Sequence, residues 1–188
     1  MSYLILVKHS LPEIDSSRPA REWVLNEEGR RRCDELAEAL RKYAPQAIVS
    51  SDEPKARETA ERVALNLGLV SIPFPNLHEH ARQTVPFLGK AAFDATVQRF
   101  FAKPDALVFG EETADDAHAR FANAVQQAMA QHSDKTLVIV THGTVISLLV
   151  SRACNVDGFT LWKQLGLPAF IVLVLPAMTI ESVVNEIK

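Results

Sequence analysis

Two histidines stand just past apolar runs at opposite ends of the chain. His9 follows the run 3–7 and Lys8, and His142 follows the run 137–140 and Thr141. Open α/β sheets bind ligands at the carboxyl ends of their strands. Two such histidines meet in one pocket if their strands are neighbours in a parallel sheet. An imidazole beside a cation suits chemistry on an anion, with histidine as nucleophile. Lys8 flanks His9 on one side and Ser10 on the other. Lys55 falls in the first turn of the helix expected after Ser50-Ser51, where free N–H groups and partial positive charge favour phosphate. Gly143, directly after His142, permits close backbone approach to a ligand. Glu79 adds a carboxylate from an irregular segment, between His78 and His80.

Taken singly, each residue also has a purely structural reading. His9 can be a satisfied strand-end imidazole, Ser51 an N-cap, Lys55 a solvated face and Glu79 an exposed loop carboxylate. His78-Glu79-His80 contains metal-ligand types, but it has neither i,i+4 helical spacing nor an evident further ligand, so no metal is expected.

The elements that must position these residues follow from periodicity. Residues 2–7 form a short apolar run rich in β-formers and read as a buried strand. Asn26 offers an N-cap for a helix over 27–43, where Cys33, Leu36, Ala37 and Leu40 recur at helical spacing and Pro45 ends it. Strand 47–49 leads through Ser50-Ser51 into a helix over 53–67, closed by Gly68. Strand 69–72 precedes a long loop over 73–90, and loops of that length are often functional. Helices are expected over 91–102 and 113–131. Strand 136–140, the His142 turn and a helix over 144–154 follow. Strands 170–175 and 179–184 close the chain as an antiparallel pair. Strands alternating with helices predict a mainly parallel sheet covered on both faces.

Composition narrows the function classes. The 188 residues suit one sizeable core, and 47% apolar with 23% charged residues is ordinary globular composition. Net charge is −3 with no basic run, which argues against a nucleic-acid partner. No segment approaches the roughly 20 apolar residues of a membrane span, and the N-terminal apolar run is too short for a signal-peptide core. Cys33 and Cys154 lie far apart in expected helices and read as reduced thiols. A cytoplasmic enzyme domain is the expectation.

In sequence order these pieces resemble the histidine phosphatase superfamily, in its phosphoglycerate-mutase-like branch. That family opens with a strand ending in Arg-His-Gly, where this chain has Lys8-His9-Ser10. Leu25-Asn26-Glu27-Glu28-Gly29 resembles its Leu-Thr-x-x-Gly helix start. Ser50-Ser51-Asp52-Glu53-Pro54-Lys55-Ala56-Arg57-Glu58-Thr59-Ala60 fits its Ser-Ser-Pro-x-x-Arg-Ala-x-x-Thr-Ala, with Lys55 at the arginine. Leu77-His78-Glu79 is similar to the segment that carries the proton donor in many members. Gly110-Glu111-Glu112 and Val140-Thr141-His142-Gly143 resemble the two remaining landmarks.

The resemblance implies a three-layer α/β sandwich: a mixed, mainly parallel sheet with helices on both faces. It implies one domain over residues 1–188, with a small variable insertion at about 73–105 that sets specificity. It implies a metal-free site, needing no cofactor, that acts on a small phosphorylated substrate. His9 would be the phosphoryl acceptor, His142 a phosphate ligand and Glu79 the proton donor, its pKa raised by a closed pocket. Lys8, Ser10, Lys55 and Gly143 would bind phosphate. Phosphomonoester hydrolysis through a phosphohistidine is the leading expectation. A catalytically inactive phospholigand-binding protein is the alternative, because both clamp arginines are lysine here. A phosphoglycerate-mutase-type phosphotransferase is a minor third. Phe74, Phe87, Phe93, Phe100 and Phe101 either line an apolar pocket or belong to the core. The edge near the last strand offers a homodimer contact.

Overall fold

The computed structural model describes residues 2–188. Its six strands are β1 (Tyr3–Lys8), β2 (Ala47–Ser50), β3 (Ser71–Pro73), β4 (Leu137–Thr141), β5 (Ala169–Val174) and β6 (Thr179–Val184). Its helices are α1 (Glu27–Arg41), α2 (Pro54–Leu67), α3 (Lys90–Ala102), α4 (Ala114–Gln131), α5 (Gly143–Cys154) and α6 (Gly158–Gln164). The strands form one sheet in the order β3-β2-β4-β1-β5-β6. The β3, β2, β4 and β1 neighbours pair in parallel, whereas β1–β5 and β5–β6 are antiparallel.

The strands look almost uniformly apolar because both sheet faces are buried. Alternate residues divide between two cores. Leu4, Leu6, Val49, Leu137, Ile139 and Ile171 face Phe121 and Val125 of α4 and Val145, Ile146 and Leu149 of α5. Ile5, Val7, Ile48, Val138, Val140 and Val172 face Cys33, Leu36 and Leu40 of α1 and Ala56, Ala60 and Val63 of α2. This is the expected three-layer arrangement with a mixed sheet.

Several boundaries differ from expectation for local reasons. Helix α1 ends at Arg41, and Ala44 takes a left-handed φ of 49°. Strand β3 starts at Ser71 rather than residue 69, because the Leu69 N–H bonds back to Ala64 O at the end of α2. Ser51 is not the N-cap of α2: Glu53 holds that place and Pro54 opens the helix. Helix α6 was not anticipated. It has 7 residues, begins on a glycine and buries only Leu161, so it offers little periodicity to read.

Candidate active site

Strand register brings the two histidines together. Lys8 pairs with Thr141 across β1 and β4, and the next backbone bond runs from His9 N–H to Thr141 O at 2.9 Å. His9 and His142 therefore leave the same sheet edge side by side. Their ring centroids lie 5.2 Å apart, with the rings inclined at 62°. Both are buried, His142 completely.

The two imidazoles are held differently. His9 Nδ1 lies 2.8 Å from Ser10 O. A carbonyl only accepts, so Nδ1 carries the hydrogen and neutral His9 keeps its lone pair on Nε2. Burial pushes the His9 pKa well below the usual histidine value, and nearby His142 and Lys55 add to this. Lys8 acts in the same direction as a smaller contribution. His142 Nε2 faces Ser51 Oγ at 2.9 Å and Glu53 Oε1 at 3.5 Å. Its pKa is also well below the ordinary value, through burial and then the charge of Lys55. Its Nδ1 is buried without a hydrogen-bond partner.

Both lysines reach the site region, and both are engaged by the protein. Lys8 Nζ donates to Leu165 O at 2.6 Å. Burial lowers its pKa to about 8, partly offset by Glu79. A Cβ at Gly143 would stand only 3.1 Å from Lys8 Cε, so the glycine makes room for the lysine stem. Lys55 is buried and its Nζ donates to Ala20 O at 2.7 Å and Glu53 Oε2 at 2.5 Å. Its pKa is lowered by burial against the pull of Glu53. Ser10 is not free to face a ligand: its hydroxyl donates to Gly29 O at 2.8 Å, and its N–H donates to Thr59 Oγ1.

Glu79 reaches the same cluster from the loop after β3. Its Oε1 accepts from the His80 N–H at 2.9 Å and its Oε2 from the Thr144 N–H at 3.3 Å. The expectation was a carboxyl with a raised pKa. Burial does push it up, but Arg82, His142 and the His80 N–H outweigh burial and leave it below the usual value. Glu79 thus rests as a carboxylate. His78 Nδ1 and His80 Nε2 lie 2.9 and 3.0 Å from the backbone carbonyls of Glu79 and Glu112. Among the described residues no group of three metal-ligating side chains occurs.

A cavity of about 520 Å³ opens beside these groups, lined by Glu53, Lys55, Glu79 and Arg82 and walled by Trp23, Phe87 and Phe93. Trp23 and Phe87 ring centroids lie 6.5 Å apart. The five phenylalanines considered above divide: Phe87 and Phe93 line the cavity, Phe74 and Phe100 are core, and Phe101 packs beneath Gly158. Two contributors were missed in the sequence. Glu53 occupies a position that the third motif leaves unspecified, and its carboxylate also accepts from the Glu79 N–H at 3.0 Å. Trp23 lies in an irregular stretch with no periodic signal.

The model of the histidine phosphatase superfamily (branch 1) matches residues 4–175. No curated protein sequence matches the chain. Among solved structures, mycobacterial glucosyl-3-phosphoglycerate phosphatase in complex with VO3 superposes with a TM-score of 0.77 at 25% identity, covering 98% of this chain and 99% of that one. Phosphoserine phosphatase from Entamoeba histolytica, in complex with 3-phosphoglyceric acid, gives 0.80 at 18% identity, covering 99% and 98%. Bacillus stearothermophilus YhfR gives 0.77 at 21%, covering 98% and 96%.

Proposed function

Because the chain belongs to branch 1 of the histidine phosphatase superfamily, we propose that it is a phosphomonoester hydrolase that forms a phosphohistidine on His9. The observation that carries this reading is the state of His9. Its Nδ1–H is tied to Ser10 O and burial keeps the ring neutral, so Nε2 bears a lone pair at ordinary pH.

Nε2 attacks phosphorus and forms the N–P bond as the P–O ester bond breaks. His142 turns its Nε2–H from Ser51 to a phosphoryl oxygen. Lys55 exchanges Glu53 for the phosphoryl group, and Lys8 adds charge from beside Gly143. Positioning and electrostatics of this kind supply most of the catalysis in phosphoryl transfer. Glu79 begins as a carboxylate. The arriving dianion opposes its ionisation, so it takes up a proton and passes it to the leaving alkoxide. In the second half, water attacks the phosphohistidine, Glu79 removes its proton, and the N–P bond breaks to release phosphate.

The cavity suits a leaving group larger and more apolar than a glycerate, because its outer wall is Trp23, Phe87 and Phe93. The lining supports a reading in which the 73–105 insertion and the segment around Trp23 choose the substrate. The free thiols of Cys33 and Cys154 fit a reducing, cytoplasmic setting, and no helix among the described residues is long and apolar enough to cross a membrane. A non-catalytic phospholigand-binding protein is the competing reading. The Glu53–Lys55 pair favours it, since a carboxylate already sits on one of the two cations.

Turnover decides between them. Aryl phosphate mixed with the protein in EDTA and quenched in alkali should leave one phosphoryl group on the His9 peptide, read by mass spectrometry. His9→Ala should abolish both the adduct and turnover. Hydrolysis that persists in His9→Ala would exclude the mechanism, and ligand binding with no turnover on a broad ester panel would favour the binding protein.

A further inference from the structure

We propose that Arg82 is the phosphate-gripping guanidinium of this site, supplying the two-point contact that the lysines at positions 8 and 55 cannot form. The proposal rests on the reading of the cavity as a phosphate-ester site.

A lysine offers a point charge, whereas a guanidinium presents paired donors matched to two phosphoryl oxygens. Neither lysine is unengaged. Lys8 Nζ is bound to Leu165 O, and Lys55 Nζ to Ala20 O and Glu53. Arg82 is held more loosely. It lines the cavity with Glu53, Lys55 and Glu79. Its Nη2 stands 4.0 Å from Glu79 Oε2, longer than a hydrogen bond, and its Nη1 is buried without a partner. The guanidinium rests over the Phe93 ring, 5.0 Å from its centroid, a contact that holds the cation without using its N–H donors. Its charge acts on Glu79 and, as a lesser contribution, on Lys8, His142 and Lys55.

The loop that displays Arg82 is built rather than slack. Arg120 of α4 donates to the carbonyls of Asn76, His78 and Glu79, at 2.9, 3.0 and 3.2 Å. Arg120 is itself paired with Glu112, whose other role is to accept the Ala81 N–H at 2.9 Å. The Glu111 N–H donates to Ala81 O at 2.8 Å, and the Glu111 carboxylate accepts from the Gln83 and Thr84 N–H groups. Gly110 has a φ of +76°, and a Cβ there would stand 2.2 Å from Ala81 O and 3.1 Å from Arg82 Cα. Only glycine allows the backbone to pass this close behind Arg82. With the backbone behind Arg82 held, only its side chain needs to reorganise when charge arrives. Arg57, the nearest arginine to the family's clamp position in sequence, points elsewhere: it is exposed and paired with Glu61.

Arg82 also links binding to protonation. Glu79 is faced by Arg82, His142 and Glu53 and lies in the field of both lysines. When the phosphoryl group binds Arg82, its negative charge offsets the cation that most favours the Glu79 carboxylate, and the proton donor is set as the ester seats.

Calorimetric titration of the full chain with orthophosphate and orthovanadate tests this without requiring turnover. Arg82→Ala should weaken both anions about 10- to 100-fold, the range for one charge-assisted pair, and Arg82→Lys should recover part of that. Arg57→Ala should leave binding unchanged. Guanidinium ion added to Arg82→Ala should restore part of the affinity. Removing Arg82 from a Glu79→Gln protein should produce the full loss again, whereas a group acting only through Glu79 would produce none there. Affinities of Arg82→Ala and Arg82→Lys both within twofold of the parent overturn the proposal, as does a parent that binds neither anion. Phosphate binding that depends on Arg82 without any ester hydrolysis would sink the hydrolase reading and leave this one standing.

Discussion

The floor of the site and its wall are made by different physics. The floor is His9 and His142, carried on backbone that continues the β1–β4 ladder one step past its last pair. The wall is the loop bearing Glu79 and Arg82 and the segment bearing Trp23, tied down by side chains that reach backbone carbonyls. The floor moves only if a strand slips in register, and a one-residue slip would turn every side chain of that strand to the opposite face. The wall depends on a few polar contacts of roughly 1 kcal/mol each. The proposed nucleophile is thus placed by the sheet, and the proposed proton donor and specificity groups by individual side-chain contacts.

The sharpest way to separate the two is Arg120→Ala. It touches neither histidine but releases three carbonyls of the wall. Hydrolysis of an aryl phosphate should fall about 10- to 100-fold in kcat/KM, as expected when a proton donor loses its position. The sheet should stay intact, and His9 should still accept a phosphoryl group from an activated ester that needs no proton donor. An equal loss on activated and unactivated esters would mean that wall and floor are not separable.

Lys8 ends β1 and lies in the field of Glu79, and its titration supplies a finer test. Its folded pKa is about 8, below the usual 10.5, so its charge is present below pH 8 and lost as pH rises through 8. The pH profile of kcat/KM reports the free enzyme, and its alkaline limb should fall near 8. Lys8→Arg keeps its charge across the measurable range and should carry that limb upward. An alkaline limb unmoved in Lys8→Arg would remove position 8 from the chemistry.

The smallest expected effect is on stability. His9 and His142 have folded pKa values below the unfolded value near 6.5. The unfolded chain therefore binds more protons once pH drops under 6.5, and the fold loses stability from there down to the folded pKa, with no loss above 6.5. At one pH unit below 6.5 this amounts to about 1.4 kcal/mol per buried histidine. Urea midpoints at pH 7.5 and 5.5 measure it, and His142→Asn should make the drop smaller. A midpoint that is flat across this range would show that the floor histidines are already solvated.

The floor was legible in the sequence because each part of it is local. A strand, its end and the residue beyond are consecutive, and two parallel neighbours bring two such ends together. The wall was not legible. Nothing near Arg120 signals that it will hold residues 76–79, and Glu53 fills a motif position with no residue preference. Helix α6 escaped for a related reason: its seven residues matter through Leu165 O just beyond, which anchors Lys8. By residue type Ser10 suits a phosphate ligand, but tertiary contact with Gly29 determines where its hydroxyl goes.

Trp23 turns the wall into an optical reporter. The chain has two tryptophans, and the other, Trp162, stacks on Phe159 with centroids 5.9 Å apart. Replacing Trp162 by phenylalanine leaves a single indole at the cavity, its Nε1–H bonded to Asp15 O and its ring beside Phe87. Emission from that indole would follow ligand arrival in real time, so the order of seating and chemistry can be timed by fluorescence.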